Sequence, residues 1–451
     1  MLRAPAVTWA LLGLACSGRT FLGDGGEGDG PTDGGPDLPW RCTPHETGTP
    51  WCANTAISVS VEPPNAEPAL SIDAQGRAVA GWIAGAPGAF ELAVAGRVDD
   101  FALTTRFGST GTFAFDPTLA VDGDRTHLVF LTTQDQLTST LLATFSDDGG
   151  QTWSPRIEIS DDGTHFHDRP WVSVGAAGEV VVGWKEEDVA TEESWHRVIV
   201  STDRGQSFSP RARIDGPING SRRLPPYGPI GFAADGAMVW AFGELSTGGA
   251  YAVQYARSTD GGSNFALTPL ESWATTEWPP GGADDDRHLK LSHQVTVAAA
   301  GGPVYLAMAR PAGGTWQRDL RVRVAADGQA FAGEVQVNQN AGAVSHMLPQ
   351  LWIVADEQGG AHVGWYEQRS GQWGLYTSST ADGATWSAAA PVSDEPFVAD
   401  DWGPALERDE LRWPGHFFGL DARDGYLYAA WGDIRTGEGA IFYAETAVPL
   451  Y

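Results

Sequence analysis

The amino-acid sequence predicts an all-β fold made of seven four-stranded units. The first observation is an extended motif of alternating aliphatic residues, in most copies preceded by proline, which recurs at intervals of 49 to 69 residues. The second is the abundance of turn-forming residues, with 57 glycines and 29 prolines in 451 residues. The third is a hydrophobic content of 42% with 19 tryptophans, enough to fill a large core. Short strands at regular spacing, separated by turn signals, are typical of repeated β-sheet architectures.

Each unit opens on one copy of the extended motif. The seven copies are EPALSID (67–73), DPTLAVD (116–122), RPWVSVG (169–175), GPIGFAA (228–234), HQVTVAA (293–299), LPQLWIV (348–354) and FFGLDA (417–422). A second strand follows each copy and ends on a large apolar residue: Trp82, Phe130, Trp184, Phe242, Met308, Trp365 and Trp431. A third alternating strand, an acidic turn with glycine and a fourth strand complete the unit.

Four short antiparallel strands per unit of about 40 to 70 residues indicate a β-propeller, here with seven blades. The last unit has only three strands before the sequence ends at Tyr451. We expect ISVSVE (57–62) to supply the missing strand, because an N-terminal strand in the C-terminal blade closes the ring and removes its open edges. A six-bladed ring is the alternative, in which the first unit is an embellishment.

The first 16 residues have the form of an export signal. Arg3 provides the positive charge, and the apolar run Ala6–Ala15 is too short to span a bilayer as a mature helix. The run ends at Cys16 and resembles a bacterial lipoprotein signal, in which this cysteine is lipidated after cleavage; Gly13 stands where that pattern prefers leucine. Residues 17–39 are rich in Gly, Asp and Pro and predict a flexible tether.

Two further cysteines, Cys42 and Cys52, lie in the short segment 40–56 that precedes the propeller at 57–451. An even pair in an exported protein predicts a disulfide. We expect an outer-membrane or cell-surface lipoprotein, with a periplasmic or secreted protein as the alternative.

The chain is strongly acidic, with a formal net charge of −29. Such a surface repels phosphate backbones and excludes nucleic acid as a partner. It suits cationic partners or divalent ions better than anionic polymers. We expect a monomer without a cofactor; calcium bound by the aspartates at 284–286 is the minor alternative.

The acidic turn has a fixed form in three units. Ser146, Asp148, Gly150 and Trp153 are repeated as Ser201, Asp203, Gly205 and Phe208, and as Ser258, Asp260, Gly262 and Phe265. A degenerate copy is Ser379, Gly383 and Trp386, with Ala381 in place of the aspartate. This pattern resembles the Asp-box of the sialidase-like (BNR-repeat) propellers. The stretches DRPWVSVGAAGEVVVGW (168–184) and FFGLDARDGYLYAAWGDIRTG (417–437) also resemble secreted bacterial Asp-box proteins that are often described as exo-sialidases.

The resemblance covers about residues 60–451 and implies a propeller whose Asp-boxes are structural and lie on the face away from the active site. It also implies what a sialidase needs: an arginine triad for the substrate carboxylate, a Tyr–Glu nucleophile pair, an aspartate acid/base and an Arg-Ile-Pro signature. No Arg-Ile-Pro occurs in this sequence, and Glu67 stands in the first unit where a cation would be wanted.

The mouth of a propeller is formed by the loops that enter the first strands and leave the second strands. Residues of these loops with acid–base chemistry are our candidates for catalysis: Asp116, Asp168, Glu186, Glu244, Tyr227 and Tyr366. Candidates for ligand binding are Arg169, Arg310, Glu367, Arg369, Asp433, Arg435, His293 and His416. Among these, Arg310, Arg369 and Arg435 could form a carboxylate clamp. No metal is expected; His165 and His167, which alternate on one extended segment, are the residues to consider for one.

The sequence therefore predicts an exported, membrane-tethered propeller that binds or processes an extracellular glycan or similar ligand at its mouth. One alternative is an exo-sialidase-type glycoside hydrolase. Its nucleophile pair would be Tyr227 or Tyr366 with Glu186 or Glu244, and its acid Asp116 or Asp168. The other alternative is a non-catalytic propeller that binds a protein.

Overall fold

The computed structural model describes residues 42–45, 49–61, 63, 65–85, 90–97, 101–108, 112–135, 138–160, 164–191, 193–210, 212–214, 221–246, 250–274, 295–311, 318–338, 344–398, 415 and 417–450. The chain from Leu38 to Tyr451 forms one compact unit. Its described residues are strands and turns, and no helix among them could cross a membrane. The predicted signal, the lipidated Cys16 and the tether lie outside the described residues.

Seven antiparallel sheets, the blades, follow one another along the chain, and the prediction of a seven-bladed propeller is confirmed. Blade 1 consists of Asn65–Ile72, Ala78–Ala84, Glu91–Gly96 and Ala102–Phe107. Blade 2 consists of Phe113–Asp122, Arg125–Thr133, Thr140–Ser146 and Ile157–Glu158. Blade 3 consists of His165–Val174, Val180–Asp188, Ser194–Ser201 and Ala212–Arg213. In each of them the strands pair in chain order.

Blade 4 is irregular because its first strand is split. Ser221–Arg223 and Gly231–Ala233 both pair with Met238–Ser246, and Ala250–Ser258 and Ala266–Ala274 follow. Gly231–Ala233 also pairs in parallel with the short strand Ala300–Gly302 of the next blade. The main strands of blade 5 are Val295–Ala298, Val304–Pro311, Arg318–Ala325 and Ala332–Gln336. Blade 6 consists of Val344–Ala355, Ala361–Arg369, Gln372–Thr380 and Ala390–Pro391.

Blade 7 joins both ends of the described chain. Gly419–Arg423, Tyr426–Asp433 and Ala440–Glu445 are completed by Thr55–Ala56, with Thr55 opposite Tyr443. The prediction of an N-terminal closing strand is confirmed, but its position at 57–62 is wrong. Ile57 still donates its amide to the Ile441 carbonyl of blade 7 at 2.9 Å. Residues 58–61 then turn, with the Val61 amide donating to the Ser58 carbonyl at 2.9 Å, because the chain must leave blade 7 and enter blade 1.

The segment that precedes the closing strand is anchored as well. Cys42 and Cys52 form a disulfide, with their Cα atoms 5.7 Å apart. Trp51 is fully buried, and its indole Nε1 donates to Thr377 Oγ1 of blade 6 at 3.0 Å. The N-terminal segment therefore stabilises the ring by contacting its last two blades.

Within the described residues the hydrophobic core forms seven clusters, one at each junction between neighbouring blades. The large apolar residue predicted at the end of each second strand lies in these clusters and is at most 1% exposed. Apolar side chains on both faces of each blade fill the wedge-shaped gaps between blades. Because burial at each junction depends on the neighbouring blade, a single blade would not be stable alone.

The acidic turns join third to fourth strands and pack against the preceding blade. Ser146 Oγ donates to Asp148 Oδ1 at 2.7 Å and accepts from the Gly150 amide at 2.8 Å. Gly150 has a φ of 85°, and a Cβ there would lie 3.2 Å from Val79 of blade 1, so both conformation and space favour glycine. Trp153 lies edge-on to Phe107, also of blade 1.

The two other well-formed turns repeat this geometry, with Ser–Asp distances of 2.7 and 2.8 Å. In the degenerate fourth copy, the serine and aspartate positions are shifted by one residue from those predicted. Thr380, not Ser379, takes the serine position: its Oγ1 donates to Asp382 and accepts from the Gly383 amide. Ser379 instead hydrogen-bonds His362 at 2.8 Å. A threonine hydroxyl can replace serine in this role because the bonds involve only Oγ.

Candidate functional site

Three strained residues occupy the same position in blades 1, 2 and 3. Glu67, Asp116 and Arg169 each precede the proline of the extended motif, and they have positive φ angles of 53°, 49° and 52°. Pairing between the first and second strands is interrupted at each of them. Non-glycine residues with positive φ inside a strand are uncommon, and such strain is concentrated at functional sites. The bulges place the three side chains where the first strands begin, at the mouth of the ring.

The three side chains meet there. The Arg169 amide donates to Asp116 Oδ2 at 3.2 Å, and the carboxyl groups of Asp116 and Glu67 share a hydrogen bond. The Arg169 guanidinium carbon lies 4.8 Å from the centre of the Tyr227 ring and 5.8 Å from that of Phe417. Residues of blades 1 to 4 and of the segment before the first strand of blade 7 thus converge on one point.

Glycine at position 415 permits this convergence. A Cβ on Gly415 would lie 2.3 Å from the Glu67 Cγ, and its φ of 97° is one that other residues rarely adopt. The backbone at Gly415 therefore passes directly over the Glu67 side chain. Glu67 is 1% exposed as a result.

The electrostatics of this group favour a protonated Asp116. Burial raises the pKa of Asp116 well above its usual range, and the nearby Glu67 carboxylate raises it further, while Arg169 acts in the opposite direction. A hydrogen bond between two carboxyl groups requires a proton on one of them. Asp116 is partly exposed and Glu67 is buried, so Asp116 is the member of the pair that a ligand in the mouth can reach.

Arg169 is buried and remains charged. Burial alone would lower the pKa of its guanidinium, but Tyr227, Glu67, Asp116 and Asp168 outweigh that effect and raise it. Arg169 is only 2% exposed, yet within the described residues its Nε and Nη1 have no hydrogen-bond partner. Unpaired buried donors are costly and rare, so these two N–H groups suggest an acceptor supplied by a ligand or by water.

The floor of the mouth is aromatic. Trp171 of blade 3 packs against Trp352 of blade 6, with ring centres 4.9 Å apart, and against Phe417 at 5.3 Å. These rings cross the centre of the propeller. Beyond them the first strands line a cavity of about 300 Å³. The aromatic layer therefore separates the mouth from that cavity.

Several predicted catalytic residues are hydrogen-bonded to other partners. The buried Glu186 accepts two hydrogen bonds from Arg197, at 2.9 and 2.7 Å. Glu244 accepts from Gln254 at 3.0 Å. Tyr366 is fully buried and donates its hydroxyl to the Gly432 carbonyl at 2.7 Å, and burial raises its pKa well above the usual value. These hydrogen bonds indicate that Glu186, Glu244 and Tyr366 stabilise the fold.

The three arginines of the hypothetical carboxylate clamp are each paired with carboxylates. Arg310 binds Glu271 and Glu334. Arg369 donates to the buried Glu367 at 2.5 Å. In blade 7, Arg435 binds the buried Asp433 at 2.7 Å and also Asp394 at 2.5 Å. The structure does not present these arginines as free cations at one point.

The predicted histidines have separate surroundings. His167 is buried, its Nδ1 lies 2.7 Å from the Ser139 carbonyl, and its Nε2 lies 3.6 Å from Glu186. His165 lies 4.0 Å from Asp188. Across the described part of the chain no group of three or more His, Cys, Asp or Glu side chains is arranged to hold a metal ion. His293, His416 and the aspartates at 284–286 lie outside the described residues.

Of the predicted site residues, the structure brings together Asp116, Asp168, Arg169 and Tyr227. Glu67 and Phe417 belong to this group but were not among the candidates for catalysis or binding. Glu67 was noted only as standing where a cation would be wanted, although it holds the same position before proline as Asp116 and Arg169. Phe417 carried no such signal.

Comparison with protein-family models and with curated proteins finds no match. Among solved structures, the chain is similar to the Hadza microbial sialidase Hz136, at 13% identity and a TM-score of 0.48, over 80% of this chain and 74% of that one. It is also similar to a protein of unknown function from Dyadobacter fermentans, at 13% identity and a TM-score of 0.47, over 74% and 99% of the two chains. A third similarity is to the α-L-arabinanase of Penicillium chrysogenum, at 12% identity and a TM-score of 0.44, over 88% of this chain and 98% of that one. At these identities the similarities concern the fold alone.

Proposed function

We propose that this protein binds a glycan at the propeller mouth and hydrolyses a glycosidic bond there, with Asp116 as the acid. The observation that carries the proposal is the group formed by Glu67, Asp116 and Arg169 on three strained strand positions. It combines a carboxyl group that favours its protonated form, a neighbouring carboxylate and two unpartnered guanidinium donors. Acid–base glycoside chemistry requires such carboxyl groups, and sugar hydroxyls are suitable acceptors for the donors.

Each residue has a distinct role in this proposal. Asp116 protonates the departing glycosidic oxygen, and Glu67 is a positioning residue that keeps the proton on Asp116. Two carboxyl groups joined by a hydrogen bond are too close to flank a glycosidic bond, since retaining enzymes separate theirs by about 5 Å and inverting enzymes by more. Asp168 is therefore our candidate for the second carboxylate. Arg169 orients the sugar through Nε and Nη1.

An exo-sialidase is the less favoured form of this function. It would need several free arginines for the sugar carboxylate, whereas Arg310, Arg369 and Arg435 are all engaged in ion pairs. The Arg-Ile-Pro signature of the sialidases is also absent from the sequence. Both points lower the affinity expected for an acidic sugar.

The test is hydrolysis of a panel of 4-methylumbelliferyl glycosides and of polysaccharides by residues 38–451. Asp116→Asn should lower kcat/KM on any active substrate by about 10²–10⁴-fold, the usual contribution of a general acid. Asp424→Asn is the matched control, because it removes an exposed carboxylate from a turn between first and second strands, on the opposite face. Equal activity of wild type and Asp116→Asn would refute the assignment. Glycan binding without turnover would leave a binding propeller.

We also propose that the protein is exported and tethered to a membrane through Cys16. The Cys42–Cys52 disulfide supports an oxidising compartment. Mass spectrometry of the mature protein from a bacterial host tests the anchor. A diacylglyceryl-modified N-terminal cysteine in wild type, with an unprocessed precursor for Cys16→Ala, is the expected result. Cleavage at another residue would contradict it.

A further inference from the structure

Lys185 is a buried cation near the mouth. It lies in the second strand of blade 3, three residues before the strand ends at Asp188, and it is 4% exposed. Its ammonium group donates to Glu187 Oε2 at 2.5 Å. Burial of an ammonium group is costly unless nearby carboxylates compensate its charge, so the acids around Lys185 bear on its role.

Asp168 is the direct cross-strand neighbour of Lys185. The pairing of the first and second strands of blade 3 places the two residues opposite each other. Side chains of opposite residues point to the same face of a sheet, with their Cβ atoms about 5 Å apart. Asp168 is 8% exposed, so water screens little of the attraction between the two side chains. Lys185 therefore favours the ionised form of the Asp168 carboxyl group.

Glu187 competes with Asp168 for the charge of Lys185, but from a weaker position. It lies two residues further along the strand, diagonal to Asp168, and 23% of its side chain is exposed. Solvent screens the charge of Glu187 more than that of the buried lysine. The net effect of Lys185 and Glu187 on Asp168 is therefore that of the nearer, buried cation.

Other charged and titratable groups face Asp168 or its direct neighbours. The Arg169 guanidinium interacts with Asp168 and also favours its ionised form, whereas Asp116 would oppose it if it were ionised as well. Asp116 favours its proton, so this opposition is small. The remaining described groups are His196, which lies opposite Lys185 on the third strand, and Glu67 and Tyr227, which interact with Arg169.

We propose that Lys185 is a positioning residue that holds Asp168 as a carboxylate. This inference rests on the proposed function and assigns the ionised carboxyl group of the same site. Glu67 keeps the proton on Asp116, and Lys185 keeps the negative charge on Asp168. Two neighbouring carboxyl groups are thereby driven into opposite states at one pH, which is the combination that glycoside hydrolysis needs.

A double-mutant cycle tests the charge pair without any substrate. Lys185→Met, Asp168→Asn and the double variant of residues 38–451 are compared with wild type by urea unfolding at pH 7. Lys185→Met should lower the folding equilibrium constant about tenfold more in wild type than in the Asp168→Asn background. Lys185→Arg, which keeps the charge, should show most of the wild-type coupling. Equal effects of Lys185→Met in both backgrounds would overturn the proposal.

The pH profile of kcat/KM tests the consequence for catalysis, on any substrate that the glycoside panel identifies. The acidic limb of this profile reports the group that must be ionised in the free enzyme. Lys185→Met should move this limb up by about one pH unit, and Lys185→Arg should restore it. Glu187→Gln is the matched control, because it removes a carboxylate from the same face and should leave the limb in place or move it down.

The failure of this inference and that of the proposed function are distinguishable. An unmoved acidic limb in Lys185→Met, or a loss of activity that is equal at all pH values, would refute the role of Lys185 and leave Asp116 as the acid. Absence of turnover by cooperatively folded wild type would refute the proposed function. The double-mutant cycle would then still decide whether Lys185 stabilises the charge of Asp168.

Discussion

A carboxyl group in the central cavity offers a test of the electrostatics that needs no ligand. Asp421 of blade 7 lines the cavity beyond the aromatic floor of the mouth. Its Oδ2 accepts from the Ile72 amide of blade 1 at 2.7 Å, and its Oδ1 accepts from the Ala422 amide at 2.8 Å. Burial raises the pKa of Asp421 to about 6 despite these two hydrogen bonds and Arg423, and Glu357 contributes to the rise.

The sign and size of the effect follow from linkage. The folded protein binds the Asp421 proton more tightly than the unfolded chain, so this group destabilises the fold progressively as the pH rises from 3.8 to about 6. A rise of the pKa from 3.8 to about 6 corresponds to about 3 kcal/mol. Because the side chain is partly exposed, solvent screening reduces this to about 2 kcal/mol.

The assay is urea unfolding of wild type and Asp421→Asn, followed by tryptophan fluorescence at several pH values from 4 to 7.5. The variant loses one hydrogen-bond acceptor at all pH values. This loss lowers its unfolding free energy by about 1 kcal/mol and does not change how that free energy depends on pH. The free energy of unfolding of Asp421→Asn relative to wild type should therefore rise by about 2 kcal/mol across this range. Asp424→Asn, an exposed neighbour, controls for net charge. A constant difference between Asp421→Asn and wild type would refute the reasoning.

Three further predictions concern stability. Burial, with Arg125 nearby, lowers the pKa of His127 to about 4, so acidification from pH 6.5 to 4 should lower the unfolding free energy of wild type by about 3 kcal/mol relative to that of His127→Leu in urea titrations, and a constant difference would contradict this. Reduction of the Cys42–Cys52 disulfide should cost about 2–3 kcal/mol, seen as a lower Tm in calorimetry; an unchanged Tm would contradict the anchoring role of the N-terminal segment. Trp51→Ala should cost about 3–5 kcal/mol in chemical denaturation, and a loss below 1 kcal/mol would show that the segment contributes little to the ring.

The sequence was sufficient for the blades because their determinants are local and repeated. A buried residue such as Trp82 or Trp365 recurs at the same place in every second strand, and each strand reads as an alternating or apolar run. The closing strand was misplaced because Ile57–Val61 alternates as well as a true strand does. Its pairing with residues near 442 depends on the whole ring, and the sequence contains no local signal for that choice.

The candidate site was harder to predict because the position of an arginine near the mouth does not show whether its charge is already paired with a carboxylate. Counting loops assigned Arg310 and Arg435 to the mouth, and Arg310 is the last but one residue of a second strand while Arg435 follows a second strand by two residues. Their partners, Glu271 and Asp394, come from neighbouring blades. Arg369 and Arg435 each pair with an acid two residues earlier in the chain, which a sequence can suggest. The pairs Arg310–Glu271 and Arg435–Asp394 join side chains far apart in the chain, and only the fold shows them.

Strain provides the information that loop counting lacks. A residue before proline in a regular inner strand would be expected to stay extended, yet Glu67, Asp116 and Arg169 all adopt positive φ angles. Ordinary strand residues with hydrophobic side chains would avoid this cost, about 1–3 kcal/mol each, so the three polar residues are kept in place by interactions that the bulges alone make possible. The bulges turn their side chains towards one another, which the pleat would otherwise prevent. The repeated dipeptide of a charged residue and proline in three consecutive units is therefore the sequence feature that best locates this site.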